Sequence, residues 1–146
     1  MPAQFSGGCA CGAVRYQCSA EPIAMINCHC RDCQRSSGTA FSSVVVVPAS
    51  AVKILNGQAK YHVVRSESGN QVRRGFCSEC GSPLFAESSV RSDILAIKAG
   101  SLDDPSWFKP KADIWTASAQ SWDYMNPDLA KVAKHPPVGK ASQARN

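Results

Sequence analysis

Residues 28–33 read CHCRDC, three thiols in six positions with a histidine between the first two. Upstream, residues 8–12 read GCACG, and downstream, residues 77–81 read CSECG. Thiolates are soft anionic ligands, and tetrahedral ions such as zinc take them in fours. Cys77-x2-Cys80-Gly81 has the form of a zinc knuckle. Its turn lets two thiolates converge while backbone N–H groups point at the sulfurs, and Gly81 supplies the unusual backbone angle the turn needs. Cys9-x-Cys11-Gly12, preceded by Gly7 and Gly8, is a tighter pair whose glycines let the chain wrap close to an ion. Cys9, Cys11, Cys77 and Cys80 together make a closed four-thiolate set, and closed zinc sites are structural.

Cys28, Cys30 and Cys33 remain as a set of three. Three ligands with a vacant fourth position is the arrangement of a reactive zinc, able to take water or to hold an incoming thiol as thiolate near neutral pH. The alternative is a second structural site completed by His29, Cys18 or a distant residue such as His62 or His135. In extended backbone His29 points away from the cysteines that flank it. Cys18 continues an apolar face with Val14 and Tyr16 and reads as a small buried hydrophobe. The ligand count favours the open site. Disulfides fit poorly, because Cys-x-Cys pairs are badly placed to bridge each other. A thioredoxin-type pair wants a βαβ context, and a cysteine protease wants a Cys–His–Asn/Asp set; neither is found near these clusters.

The elements that must position these residues read as short strands. AVRYQCS (13–19) alternates with period two, FSSVVVV (41–47) is β-branched, and QVRRGF (71–76) runs into the third cluster. AVKIL (51–55) and KYHVV (60–64) flank NGQA, whose Asn-Gly is a strong turn signal. DILAIKAG (93–100) is a further strand, and SLDDP (101–105) a tight turn. Helix is scarce: RDCQRSSG (31–38) closes at Gly38, and NPDLAKVAK (126–134) opens with a plausible cap and a proline at its first turn. The fold class expected is mainly β with one or two short helices.

A chain of 146 residues, 44% of them hydrophobic, suits one domain with an ordinary core, spanning 1–135, and a disordered tail over 136–146. No apolar run approaches the ~20 residues that cross a bilayer. The opening MPAQFSGGCACG has neither a basic nor an apolar signal region, so the expected location is the cytoplasm, where thiols stay reduced. Net charge is +5, but Lys131, Lys134, Lys140 and Arg145 follow the last acid, Asp128, so much of the excess belongs to the end of the chain. With no aromatic platform and no basic stripe, a nucleic-acid surface is disfavoured. Trp107, Trp115 and Trp122 are expected in the core or in a cleft wall.

The chain resembles the glutathione-dependent formaldehyde-activating enzyme family, which also includes centromere protein V. The resemblance runs through GGCACGAVRY (7–16), CHCRDCQRSSG (28–38), FCSECGSPLF (76–85), AGSLDDP (99–105) and IWTASAQSW (114–122). It implies a β-tent, a single domain of small curved antiparallel sheets around two zinc ions. One ion would be structural, on Cys9, Cys11, Cys77 and Cys80; the other catalytic, on Cys28, Cys30 and Cys33. The implied activity is carbon–sulfur lyase chemistry, the reversible addition of glutathione's thiol to formaldehyde. The partners implied are a small thiol such as glutathione and a small aldehyde, with no membrane; oligomeric state is left open. Many members carry histidine before the isoleucine of the late strand, where this chain has Asp113. Arg31 and Arg35 flank the second cluster and either meet a substrate carboxylate or lie in solvent. Alternation turns one of Arg73 and Arg74 inward or toward a cleft and leaves the other in solvent.

Overall fold

The computed structural model describes residues 3–67 and 69–135. The tail expected over 136–146 lies outside them. Eleven strands follow in order: β1 (Phe5–Gly8), β2 (Arg15–Cys18), β3 (Ala24–Cys28), β4 (Ser42–Pro48), β5 (Val52–Asn56), β6 (Lys60–Arg65), β7 (Gln71–Phe76), β8 (Pro83–Ser88), β9 (Ile94–Lys98), β10 (Ala112–Ile114) and β11 (Ala130–Val132). One α-helix, α1 (Arg31–Ser37), follows β3 and ends on Gly38 in the left-handed conformation. The described residues are mainly β with one short α-helix, in keeping with their short β-branched runs.

The strands form two open sheets, a small one in the order β1-β2-β5 and a large one in the order β11-β10-β3-β4-β9-β8-β7-β6. Across the large sheet Met25 pairs with Val45, Val45 with Ile97, and Ile97 with Phe85, so these four share one face. They form the core with Val14, Tyr16 and Cys18, the buried face of the segment through β2. Tyr16 meets Phe85 edge-on, with ring centroids 5.3 Å apart. Gly7, paired with Tyr16, has no room for a Cβ, which would sit 2.3 Å from the Ser101 carbonyl oxygen and the Tyr16 hydroxyl. Its glycine therefore serves the seam between elements, not the approach to an ion. One position along the large sheet, Ile26, Val44 and Lys98 align, and Cys28 lies opposite Ser42. By alternation these point to the other face. One sheet thus carries the core on one side and the second cysteine cluster on the other.

The Asn-Gly turn is borne out, and three other expectations need correction. The Asn-Gly turn forms, with Gly57 at φ 71°, but β5 and β6 do not pair: β5 closes the small sheet and β6 edges the large one. The turn is a corner between sheets. The large sheet is mixed, because β10 runs parallel to both β3 and β11. Residues 126–134 are not helical. Asn126 Oδ1 accepts the Asp128 amide as a cap would, but only a single turn closes, at Leu129 N to the Asn126 carbonyl, before the chain pairs as β11 beside β10. Trp115 is buried and Trp107 packs against the core, as expected, but Trp122 is 66% exposed.

Candidate metal centres

The first cluster joins the loop between β1 and β2 to the loop between β7 and β8. Cys9 Sγ lies 3.7 Å from Cys11 Sγ, and Cys11 Sγ lies 3.8 Å from Cys77 Sγ. A tetrahedron with 2.3 Å metal–sulfur bonds has edges of about 3.8 Å. Disulfide sulfurs would stand at about 2.05 Å, and all eight cysteines are free. The knuckle behaves as the sequence implies. Gly81 adopts φ 78°, and its amide donates to the Cys77 carbonyl at 2.8 Å. Amides face the sulfurs: Val14 N donates to Cys9 Sγ at 3.2 Å and Glu79 N to Cys77 Sγ at 3.4 Å. The Ser82 hydroxyl, 3.2 Å from Cys80 Sγ, and nearby amides draw that thiol down to about 5. Four sulfurs within 4.8 Å of one another fit a tetrahedral ion.

The second cluster brings Cys28, at the end of β3, together with Cys30 and Cys33 at the start of α1. Cys30 caps the helix, its Sγ accepting the Cys33 amide at 3.2 Å. Hydrogen bonds from Cys28 and Cys30 hold the Cys33 thiol well below its ordinary value, and Cys30 and Cys33 push Cys28 up. Arg74 Nη2 reaches Cys33 Sγ at 3.7 Å. The three sulfurs lie within 4.8 Å of one another, and no fourth His, Cys, Asp or Glu joins them among the described residues. This donor set fits a soft divalent ion at three positions.

His29 takes the opposite direction from its neighbours, as extended backbone requires. Fully buried, it stands between two carboxylates: Nε2 lies 2.9 Å from Asp113 Oδ1 and Nδ1 2.6 Å from Asp123 Oδ2. The Nε2 contact to Asp113 is a hydrogen bond, and the Asp123 carboxylate lies close against Nδ1 on the other side of the ring. Lys131 Nζ lies 3.0 Å from the other Asp113 oxygen. Burial pulls the Asp113 carboxyl upward, but hydrogen bonds to His29 and Lys131 outweigh it and leave the group below 3.8. Gln34 adds a second tether, donating to the carbonyls of His29 at 2.7 Å and Ser118 at 3.1 Å. Trp115, buried against the cluster, holds a left-handed φ of 59°, a strained conformation for a non-glycine residue. Its surroundings impose that turn on it.

A cleft of about 540 Å³ borders the first cluster at Cys9 and is lined also by Arg15, Phe41, Ser42, Ser82 and Lys98. Lys98 is only 8% exposed, and its Nζ donates to Ser42 Oγ at 2.7 Å. Burial lowers its pKa, against the attraction of Cys33. Of the arginine pair in β7, Arg74 turns to Cys33 while Arg73 pairs with Glu87 at 2.9 Å and covers the Tyr61 ring. Arg31 and Arg35 are exposed, and Arg31 bonds Gln34 within its own helix. Cys18 is buried, its thiol donating to the Ala20 carbonyl, and His62 is exposed on β6. The residues that sequence reasoning missed are Gln34, Lys98 and Asp123. Only Asp113 carried a signal, as a departure from the family's pattern.

Comparison with known proteins agrees with this geometry. A Penicillium rubens protein named after glutathione-dependent formaldehyde-activating enzymes is 35% identical over 86 residues, 56% of this chain and 44% of its own length. One from Colletotrichum graminicola with the same name is 28% identical over 90 residues, again 56% of this chain and 44% of its own. The chain thus spans less than half the length of the curated relatives it matches. A crystal structure of a Rhodobacter sphaeroides protein superimposes with a TM-score of 0.55 at 17% identity, over 68% of this chain and 88% of that one, a likeness of fold. The sequence model of the glutathione-dependent formaldehyde-activating enzymes matches residues 4–118, from the first strand through both cysteine clusters, and the chain belongs to that family.

Proposed function

We propose that the protein is a zinc-dependent carbon–sulfur lyase acting on adducts of glutathione, or a similar small thiol, with a small aldehyde. In this reading Cys9, Cys11, Cys77 and Cys80 hold a structural zinc, and Cys28, Cys30 and Cys33 hold a catalytic one. The observation that carries it is the ligand deficit: four thiols converge at the first cluster and three at the second. A zinc ion on three thiolates supplies a soft position at which a thiol sulfur is held as thiolate. The chain's residues do the rest. The helix cap and the His29 network fix the three sulfurs, and the cleft, within the range of ordinary ligand sites, receives the thiol's body.

The reaction balances without redox chemistry. In the forward direction the thiol sulfur forms a bond to the carbonyl carbon, the C=O π bond breaks, and the thiol proton ends on the oxygen. The reverse step releases aldehyde and thiol. Such an enzyme belongs in a reducing compartment, and we place it in the cytoplasm. No helix among the described residues is long and apolar enough to cross a membrane.

The test is NMR exchange between glutathione, formaldehyde and their adduct, with metal-free and zinc-loaded protein compared by metal analysis. Zinc-dependent acceleration is expected, abolished in Cys30→Ser. Saturable thiol binding with no acceleration would replace the enzyme by a binding module.

A further inference from the structure

Arg74 and Lys98 are cations with no carboxylate partner among the described residues. Arg74 donates to the Cys33 sulfur, and its Nε is buried without a hydrogen-bond partner. Lys98 is more than nine-tenths buried, and its Nζ has the hydroxyl of Ser42 as its hydrogen-bond partner. An ammonium taken out of water costs several kcal/mol unless an opposite charge compensates it. The sheet shows where that charge comes from. Ser42 lies opposite Cys28, and Lys98 is aligned with Val44 on the same face, so Lys98 stands over the second cluster and feels the thiols of Cys33, Cys28 and Cys30.

The charge count then decides what the fourth position accepts. Three thiolates around a divalent ion leave one negative charge. Arg74 and Lys98 turn the assembly one unit positive. A neutral occupant leaves that excess buried, whereas a thiolate cancels it. We propose that Arg74 and Lys98 make the second cluster selective for an anionic fourth ligand, so that a small thiol enters as thiolate in preference to a neutral donor. The inference rests on reading the three-thiol cluster as a metal site, and it assigns both residues to specificity.

The experiment uses the full chain loaded with cobalt, titrated separately with 2-mercaptoethanol and with imidazole. Mercaptoethanol has no carboxylate, so an anchoring role for Lys98 toward glutathione's carboxylates cannot mimic the effect. Sulfur-to-cobalt charge-transfer bands report the ligands, and the ratio of the two affinities is the readout. Lys98→Met should reduce the preference for the thiol by about tenfold or more at low salt, as expected for removing one buried charge beside the cluster. Lys98→Arg should restore most of it, and Arg74→Gln should shift the ratio in the same direction. If Lys98→Met does not fold by circular dichroism, Arg74→Gln, on the less buried side chain, decides by the same ratio. Full cobalt occupancy with an unchanged ratio in the folded variants overturns the inference and leaves the proposed function standing. A parent protein without thiolate-to-cobalt bands from the Cys28 cluster overturns the proposed function itself.

Discussion

The two cysteine clusters use the same ligand type and are held in opposite ways. The first joins residues far apart in sequence, with 66 positions between Cys11 and Cys77, and two of its thiols, Cys11 and Cys80, are exposed. Backbone amides answer its sulfurs. The Ala10 amide also bridges the two loops, donating to Ser82 Oγ at 3.0 Å, and a metal held on the four sulfurs would add its binding energy to folding. The second cluster comes from six consecutive residues and is braced from behind by His29, Asp113, Asp123, Lys131 and Gln34. Side-chain cations answer its sulfurs alongside the one backbone amide, that of Cys33. The protein builds that arrangement in advance, and an ion need only occupy it. On the proposed function, the closed site would staple the fold and the open one would be carried by it.

The largest effect should come from breaking the staple. Cys77→Ser should abolish cooperative thermal unfolding or lower the midpoint by tens of degrees, since structural zinc contributes about 10 kcal/mol or more to small domains. A variant melting like the parent, with unchanged zinc content, would reverse the comparison.

Next comes the brace. Asp113→Ala leaves the Lys131 ammonium and one His29 nitrogen facing no charge, at a cost of about 3 kcal/mol. Urea unfolding should show this loss, and zinc should leave the second cluster more readily than the first. The pH dependence has a definite sign. Asp113 titrates below 3.8 in the folded protein, so its contribution is full above that value and is lost as pH falls through the lower folded value. Acid unfolding of Asp113→Ala should therefore be flatter than that of the parent below about pH 4.

Cys30→Ser sharpens the comparison from the other side. It should remove the second ion and the proposed activity while circular dichroism and the first zinc persist, with little change in stability, because serine is itself a preferred helix cap and can accept the Cys33 amide as Cys30 does. Global unfolding would make this site structural as well.

The smallest effect belongs to the cleft rim. Arg15 and Asp103 form a two-point pair at 2.6–2.8 Å, and Arg15 with the Ser6 hydroxyl holds the Asp103 carboxyl at about 2. Both groups are more than a third exposed, so solvent screens them, and Asp103→Asn should cost about 0.5 kcal/mol or less. What it does contribute is present above pH 4 and lost between about 4 and about 2. A loss of several kcal/mol in a thermal melt would mean that the rim, and not the ion, ties the loops.

What could be read in advance was local. The thiol pairs, the Gly81 knuckle, the Gly38 helix stop, the outward turn of His29 and the split of Arg73 from Arg74 each depend on a few neighbouring residues and on alternation along a strand. Membership of the family was legible for the same reason, since its pattern is a spacing of cysteines. The tertiary structure alone decided the rest. Lys98 lies 65 positions from Cys33 and reaches the site because β9 pairs with β4, which pairs with β3. Asp123 sits in an irregular segment that no periodicity marks, and β11 takes a strand's place because an edge was open beside β10. Spacing determines which groups can share an ion, because the chain between them is short. Which charges surround that ion is settled by strand pairing over scores of residues, and a single sequence carries no local signal for it.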